Sequence, residues 1–275
     1  MPTITLTSDY GTKDYRVAAI KGKILELKED LQIVDISNDI EAYNLTQTSY
    51  VVRNAYKYFP KGTVHIIAVD SFFSRFRKSI LMKADDHYFI AADNGILSLI
   101  FNDIKPEAVY EITFNSRFDD IINFTVTDIF VPAAVHLQNG GLPEVIGRKL
   151  KSYKQMKLPQ PTMNDSEKMM VGEIIYIDNF GNIVTNITKE LFEKYAASHE
   201  NFQIKIRNIY INKIVRNYTD IVSDWSREPD FHGKEVALFN RARFLEIAIY
   251  KGSKNNGAHS LFGMNFGEKI YIEFS

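Results

Sequence analysis

Thr3-Ile4-Thr5-Leu6-Thr7-Ser8-Asp9-Tyr10-Gly11-Thr12 reads as a β-branched strand that ends at Ser-Asp and turns at a glycine. Val17, Ile20, Ile24 and Leu27 follow at helical spacing, so the turn leads from strand to helix. Gln32–Ile36 is the next strand. The polar stretch Ser37–Asn44 can cap a second helix, which carries Val51, Val52, Ala55 and Phe59 and stops at Pro60-Lys61-Gly62. Thr63–Val69 is an apolar strand of the buried kind, and it ends at Asp70. Strand and helix in alternation predict an N-terminal α/β domain with a mostly parallel sheet. In an open sheet of that kind a ligand crevice lies at the carboxyl ends of the strands, where Asp9 and Asp14 both sit. A carboxylate there can accept two hydrogen bonds from a ribose diol or pair with an ammonium group. The alternative is that Asp14 or Thr12 only caps the helix that follows.

Further along, Ile80–Lys83 and Tyr88–Ala92 flank Asp85-Asp86-His87 as a hairpin, Asp93-Asn94-Gly95 is a turn and Val109–Ile112 a strand. Asp128–Leu137 is expected to be helical, with Thr127 as its cap and Gly140-Gly141 as its stop, although Pro132 lies rather deep in it. Residues 153–168 are polar, contain Pro159 and Pro161 and show no period. They read as a linker between an N-terminal domain, 1–152, and a C-terminal domain, 169–275. Beyond the linker the period is two. Phe202, Ile204 and Ile206, then Leu245, Ile247 and Ile249, then Ile270, Ile272 and Phe274 alternate with other residues, which predicts a smaller antiparallel β-barrel. One short helix near Lys189–Ala197 interrupts it.

The second informative stretch is Gly172-Glu173-Ile174-Ile175-Tyr176-Ile177-Asp178-Asn179-Phe180-Gly181-Asn182-Ile183-Val184-Thr185-Asn186-Ile187. A hairpin needs only Asn-Gly or Asp-Gly at its tip. The extra polar groups of Asp178, Asn179 and Asn182 beside the Phe180 ring suit a small polar ligand with a flat ring, or else an ordinary hydrated tip.

Composition narrows the classes. The 275 residues carry a formal net charge of −1, so no overall field recruits nucleic acid or an anionic membrane. The short basic run Arg75-Phe76-Arg77-Lys78 beside Phe72 and Phe73 is weak evidence for nucleic-acid stacking. There is no cysteine, which excludes disulfides and thiolate catalysis. The start shows no charged and apolar leader, and no run suggests a membrane span, so a cytoplasmic location is expected. Phosphate-loop, dinucleotide and nucleophile-elbow motifs are missing, as are histidines paired at metal spacing. His65 and His136 read as structural.

Thr7-Ser8-Asp9-Tyr10-Gly11, Ile36-Ser37, Val69-Asp70, Ala92-Asp93-Asn94-Gly95, Ile177-Asp178-Asn179-Phe180-Gly181-Asn182 with Thr185-Asn186, and Asn240 with Phe244-Leu245-Glu246-Ile247-Ala248-Ile249 occur in that order. In this the chain resembles the S-adenosyl-L-methionine hydroxide adenosyltransferases, relatives of fluorinase and chlorinase. The resemblance implies a homotrimer that binds S-adenosylmethionine or adenosine between one subunit's N-terminal domain and a neighbour's C-terminal domain, with no metal or cofactor. It implies Asp9 on the ribose hydroxyls, Asp14 and Asp178 facing the methionine ammonium, and Phe180 and Asn182 on the adenosine. Phe124 would line the pocket near C5′, and the strand from Glu246 to Tyr250 would offer backbone groups to the adenine.

The reaction implied is attack of water on C5′, releasing adenosine and methionine, with Asp70 orienting the water or accepting its proton and Arg77 keeping Asp70 ionised and in place. The chain departs from the hydrolase pattern in three places. Ser71-Phe72-Phe73-Ser74 replaces a Pro-Gly-Val-Gly turn, Thr125 stands at the histidine position and Thr127 at an arginine position. Near the C-terminus Arg241 stands where the halogenases have a serine. A non-catalytic trimer that binds S-adenosylmethionine is therefore the alternative. A halogenase is disfavoured by Asp70, whose carboxylate repels halide.

Overall fold

The computed structural model describes residues 2–74, 76–113, 124–164, 166 and 168–275. The chain divides into two units, Met1–Leu158 and Pro159–Ser275.

The first unit is built on a seven-stranded sheet of β1 (Thr3–Ser8), β2 (Gln32–Ser37), β3 (Val64–Ala68), β4 (Ser79–Ala84), β5 (His87–Ala92), β6 (Ala108–Ile112) and β7 (Gly147–Lys149), in the order β2-β1-β3-β5-β4-β6-β7. β2, β1, β3 and β5 pair in parallel, while β4 is antiparallel to both its neighbours and β7 to β6. Every residue of β1 and β3 is buried, which is why both strands lack polar alternation. The covering helices are α1 (Arg16–Leu27), α2 (Leu45–Ala55), α3 (Ile96–Ile100), α4 (Val131–Gln138) and α5 (Pro143–Ile146). Ile20 and Ile24 seat α1 in a core with Ile4, Leu6, Ile66 and Phe130. Asn44 caps α2 by accepting the Gln47 amide at 2.9 Å, as the polar loop suggested. Asp85 and Asp86, at φ 51° and 61°, give the β4–β5 hairpin its tight turn.

The helix read as Asp128–Leu137 begins differently. Val126–Phe130 is a π-turn, closed by the Val131 amide on the Val126 carbonyl, and α4 follows it. Thr127 therefore caps nothing. It lies inside the turn and donates to the Phe124 carbonyl at 3.0 Å. Pro132 follows directly on this wide turn, so its missing N–H falls where the regular ladder of bonds four residues apart is already interrupted.

The second unit holds β8 (Thr162–Asn164), β9 (Met169–Ile177), β10 (Ile183–Thr188), β11 (Phe202–Ile206), β12 (Ile209–Ile211), β13 (Ile214–Val215), β14 (Glu235–Phe239), β15 (Phe244–Ile249) and β16 (Lys269–Phe274). They run β12-β11-β16-β9-β10-β15-β14-β13, with β8 on β9. All described pairs are antiparallel except β13 with β14, and β12 approaches β14 so that the barrel nearly closes. Helix α6 (Lys189–Ala196), capped by Thr188, packs Phe192 into the barrel core. The described residues of the 153–168 stretch divide between the two units. Lys154 and Met156 amides bond to Asp93 and Ser98 of the first unit, and Thr162–Asn164 pairs with β9 of the second. Among the described residues no helix is long and apolar enough to cross a membrane.

Candidate functional site

The strand order places a topological switch between β1 and β3, because the chain leaves β1 toward β2 on one side and returns to β3 on the other. The loops after such strands part and leave a crevice. Here the crevice is a cleft of about 400 Å³, lined by Asp9 and Tyr10 after β1, Ala42 and Tyr43 after β2, and Asp70–Phe73 after β3. Arg16, Phe124 and Thr125 complete it.

Asp9 and Asp70 are tied together. Oδ2 of Asp9 accepts the Asp70 amide at 3.2 Å and the Tyr43 amide at 3.1 Å, so one carboxylate oxygen fixes two loops. Asp70 has φ 47°, a left-handed conformation that aspartate tolerates better than most residues. Arg77 pairs with the Asp70 carboxylate at 3.0 Å and donates to its carbonyl at 2.8 Å. Asn94, buried at the start of α3, donates to the carbonyls of Val69 and Asp70 at 3.1 and 3.3 Å. Asp70 is thus fixed from three sides. Arg77 also lies 4.8 Å over the Phe72 ring, while Arg75 lies outside the described residues.

Tyr10 bonds Ser71 at 2.9 Å and meets Phe124 edge-on at 5.6 Å. Burial pushes its hydroxyl up to about 12, with the Ser71 bond opposing, so Tyr10 is a neutral wall of the cleft. The Phe124 amide donates to Asp128 at 3.0 Å, which locks the entry of the π-turn. Thr125 is 5% exposed, and its hydroxyl is the one buried side-chain polar atom without a hydrogen-bond partner among the described residues. Such an atom costs about 1–3 kcal/mol. Asp14 is not among the residues lining the cleft. It binds Arg16 instead, accepting the Arg16 amide at 2.8 Å and its guanidinium at 2.5 Å.

The remaining candidates lie together in the second unit. Asp178 accepts the Phe180 amide at 2.8 Å, the Asn182 amide at 2.9 Å and the Asn182 side chain at 2.9 Å. This carboxylate folds the β9–β10 tip and leaves the Phe180 ring 62% exposed. Gly181, at φ 76°, packs against Gly257, where an added Cβ would lie 2.2 Å from the Phe180 carbonyl. Glu246 is buried and accepts from Tyr218 and, at 3.0 Å, from Asn240. Burial raises its carboxyl above the ordinary range, and the two hydrogen bonds oppose that. The backbone of Glu246 and Ile247 pairs with β10 on one side and β14 on the other, so at these two positions the strand offers side chains rather than free backbone. Thr185 and Asn186 serve structure, bonding the Leu245 carbonyl and the Glu173 amide.

The model of the SAM hydroxide adenosyltransferase N-terminal domain matches residues 4–147, and that of the C-terminal domain matches 172–271. The chain belongs to the SAM hydroxide adenosyltransferase family. Among its relatives, the (R)-S-adenosyl-L-methionine hydrolase of Methanocaldococcus jannaschii is 30% identical, over 98% of this chain and 95% of that protein. A fluorinase of Actinopolyspora mzabensis is 23% identical over 76% and 79%. The crystal structure of an uncharacterized conserved protein from Thermotoga maritima agrees with a TM-score of 0.82 at 27% identity, covering 99% of both chains.

In this adenosyltransferase-family chain, sequence reasoning passed over several residues that line or brace the cleft: Tyr10, Arg16, Tyr43, Ser71 and Asn94. A sequence signal existed for Asn94, which sits in the turn before Gly95. For Arg16 and Tyr43 there was none, because their place depends on how the loops after β1 and β2 meet.

Proposed function

We propose that the chain hydrolyses S-adenosyl-L-methionine to adenosine and L-methionine. The oxygen of water attacks C5′, the C5′–S bond breaks with its electron pair going to sulfur, and the sulfonium becomes the neutral thioether of methionine. The proton lost from water passes by way of Asp70 to solvent. The observation that carries this reading is the Asp70 carboxylate, lining the cleft and held at 3.0 Å by Arg77. A fixed acceptor can orient water in line at about 3–3.5 Å from carbon, which is the main demand when the substrate brings its own leaving group. Oδ1 of Asp9 is left to accept a ribose hydroxyl, Phe124 packs near C5′, and the Thr125 hydroxyl acts as a hydrogen-bond partner for water.

Following the resemblance, Asp178, Phe180, Asn182 and the strand of Glu246 are contributed by a neighbouring subunit of a homotrimer. Asp14 acts there through its pair with Arg16. Thr125 favours a second reading, because a threonine cannot take a proton at neutral pH: the same trimer would hold S-adenosylmethionine or adenosine without turnover.

Adenosine release from S-adenosylmethionine, measured for wild type and Asp70→Asn, tests the proposal. The expected result is release by wild type and a loss of about 10² or more in the variant, with binding retained. Equal nonzero rates overturn the role of Asp70. Tight binding with no release by either establishes the binding protein instead.

A further inference from the structure

Arg16 is the one basic residue among the described residues that line the cleft, which otherwise presents the carboxylates of Asp9 and Asp70. Its guanidinium is held in place by its surroundings. It lies 5.8 Å over the Tyr10 ring and 5.6 Å over the Tyr15 ring, and it pairs with Asp14 at 2.5 Å. The Asp14 carboxylate is turned to Arg16 and does not line the cleft, so the positive end of this pair faces the ligand. A guanidinium has five N–H donors, and one bond to Asp14 leaves a fork for a second carboxylate. That an occupant is expected in this cleft follows separately from the Thr125 hydroxyl, which lines it, is 5% exposed and has no partner among the described residues.

We propose that Arg16 reads the carboxylate of the ligand's amino-acid portion, so that the cleft selects a zwitterionic sulfonium over its decarboxylated counterpart. The inference rests on the S-adenosylmethionine reading above. Arg16 brings to the cleft the charge opposite to an α-carboxylate, and Asp14, turned away from the cleft, holds the guanidinium in place. Arg16 is a binding residue in this account and takes no part in the bond changes at C5′.

The test is calorimetric titration of wild type, Arg16→Gln and Arg16→Lys with S-adenosylmethionine, decarboxylated S-adenosylmethionine and adenosine, following adenosine release in the same samples. Arg16→Gln is expected to weaken S-adenosylmethionine by about tenfold, the worth of one charge-assisted contact at a half-exposed group. The decarboxylated ligand and adenosine should stay within roughly twofold. Arg16→Lys should fall between, since it keeps the charge and loses the fork. An equal loss for all three ligands would reduce Arg16 to a packing role and overturn the inference, as would unchanged affinity for S-adenosylmethionine in Arg16→Gln. Carboxylate-dependent binding without adenosine release would defeat hydrolysis and leave the inference standing. Release of adenosine with no preference for the carboxylate would do the reverse.

Discussion

Arg77 Nη1 reaches both the carboxylate of Asp70, at 3.0 Å, and its carbonyl, at 2.8 Å. A single guanidinium therefore fixes the side chain and the backbone of a residue in the left-handed region. Lysine keeps the charge but replaces a guanidinium oriented over the Phe72 ring with a flexible, more strongly hydrated ammonium. Arg77→Lys is expected to lower kcat for adenosine release by about tenfold or more while KM changes little, because orientation is lost and charge is kept. Steady-state kinetics that show a rise in KM alone would assign Arg77 to binding.

Asp9 has two duties, so its variants should separate. Its Oδ2 holds the amides of Tyr43 and Asp70, and in the proposed complex its other oxygen meets the ribose. Asp9→Ala is expected to weaken adenosine binding at least about tenfold, since hydrogen bonds to a charged group are worth roughly 1.5–3 kcal/mol. It should also lower Tm, because two amides lose their acceptor. Asp9→Asn keeps an acceptor for those amides and should retain most of the stability while binding less well. Calorimetry alongside thermal unfolding reads both effects, and equal Tm losses in the two variants would contradict the division.

Thr125 predicts an opposition between stability and function. Replacing its unpartnered hydroxyl with the methyl of valine removes a buried polar atom, so Thr125→Val is expected to stabilise the free protein by about 1 kcal/mol. The same variant should show a smaller thermal shift with S-adenosylmethionine and slower adenosine release. If the free protein is destabilised instead, the hydroxyl already has a partner.

A buried chain of polar side chains, far from this chemistry in role, gives the first unit a pH dependence. Thr5 bonds His65 at 2.7 Å and His65 meets His87 at 3.2 Å. Burial pushes the His65 imidazole down to about 3, with His87 adding to the shift, and burial lowers His87 as well, against Asp85 and Asp86. In the unfolded chain both titrate near about 6.5. Above that pH neither state binds the protons and stability is at its full value. Below it the unfolded chain takes up protons that the native His65 refuses until about 3, so stability falls as pH falls. Unfolding free energies from urea titrations are expected to drop between about pH 7.5 and pH 5, by up to about 1.4 kcal/mol per pH unit for His65, with His87 adding in the same direction. His87→Gln should flatten the slope, and a midpoint that rises on acidification would refute the account.

The sequence made the strand ends legible, and with them Asp9 and Asp70, because β1 and β3 are buried throughout and stop at polar residues. The barrel was legible for the opposite reason: its strands bury one face, as in the alternating pattern of β16. The π-turn at Val126–Phe130 was not legible, since a bond spanning five residues leaves no mark on hydrophobic period, and Thr127 looked like a cap only because Asp128 looked like a helix start. The partner of Asp14 was also hidden. From the sequence alone its carboxylate could face a ligand or the helix, and only the fold shows it turned to Arg16, two residues away. The residues that brace Asp70 come from three separate segments, around Asp9, Arg77 and Asn94, and no local pattern could join them.

That same π-turn makes the cleft wall adjustable by a single residue. Each position in a regular helix advances the chain by about 100° around the axis, and a π-turn is an α-helix carrying one position too many. Deleting one residue between Val126 and Phe130 would return the segment to an ordinary helix, with α4 still anchored in the core by Val131 and Ala134. Phe124 and Thr125 would then be swung about 100° out of register with the cleft they line. A one-codon change in length here is a larger chemical event than most substitutions of Thr125 itself, and it offers descendants of this chain a way to present a different side chain to the same carboxylates.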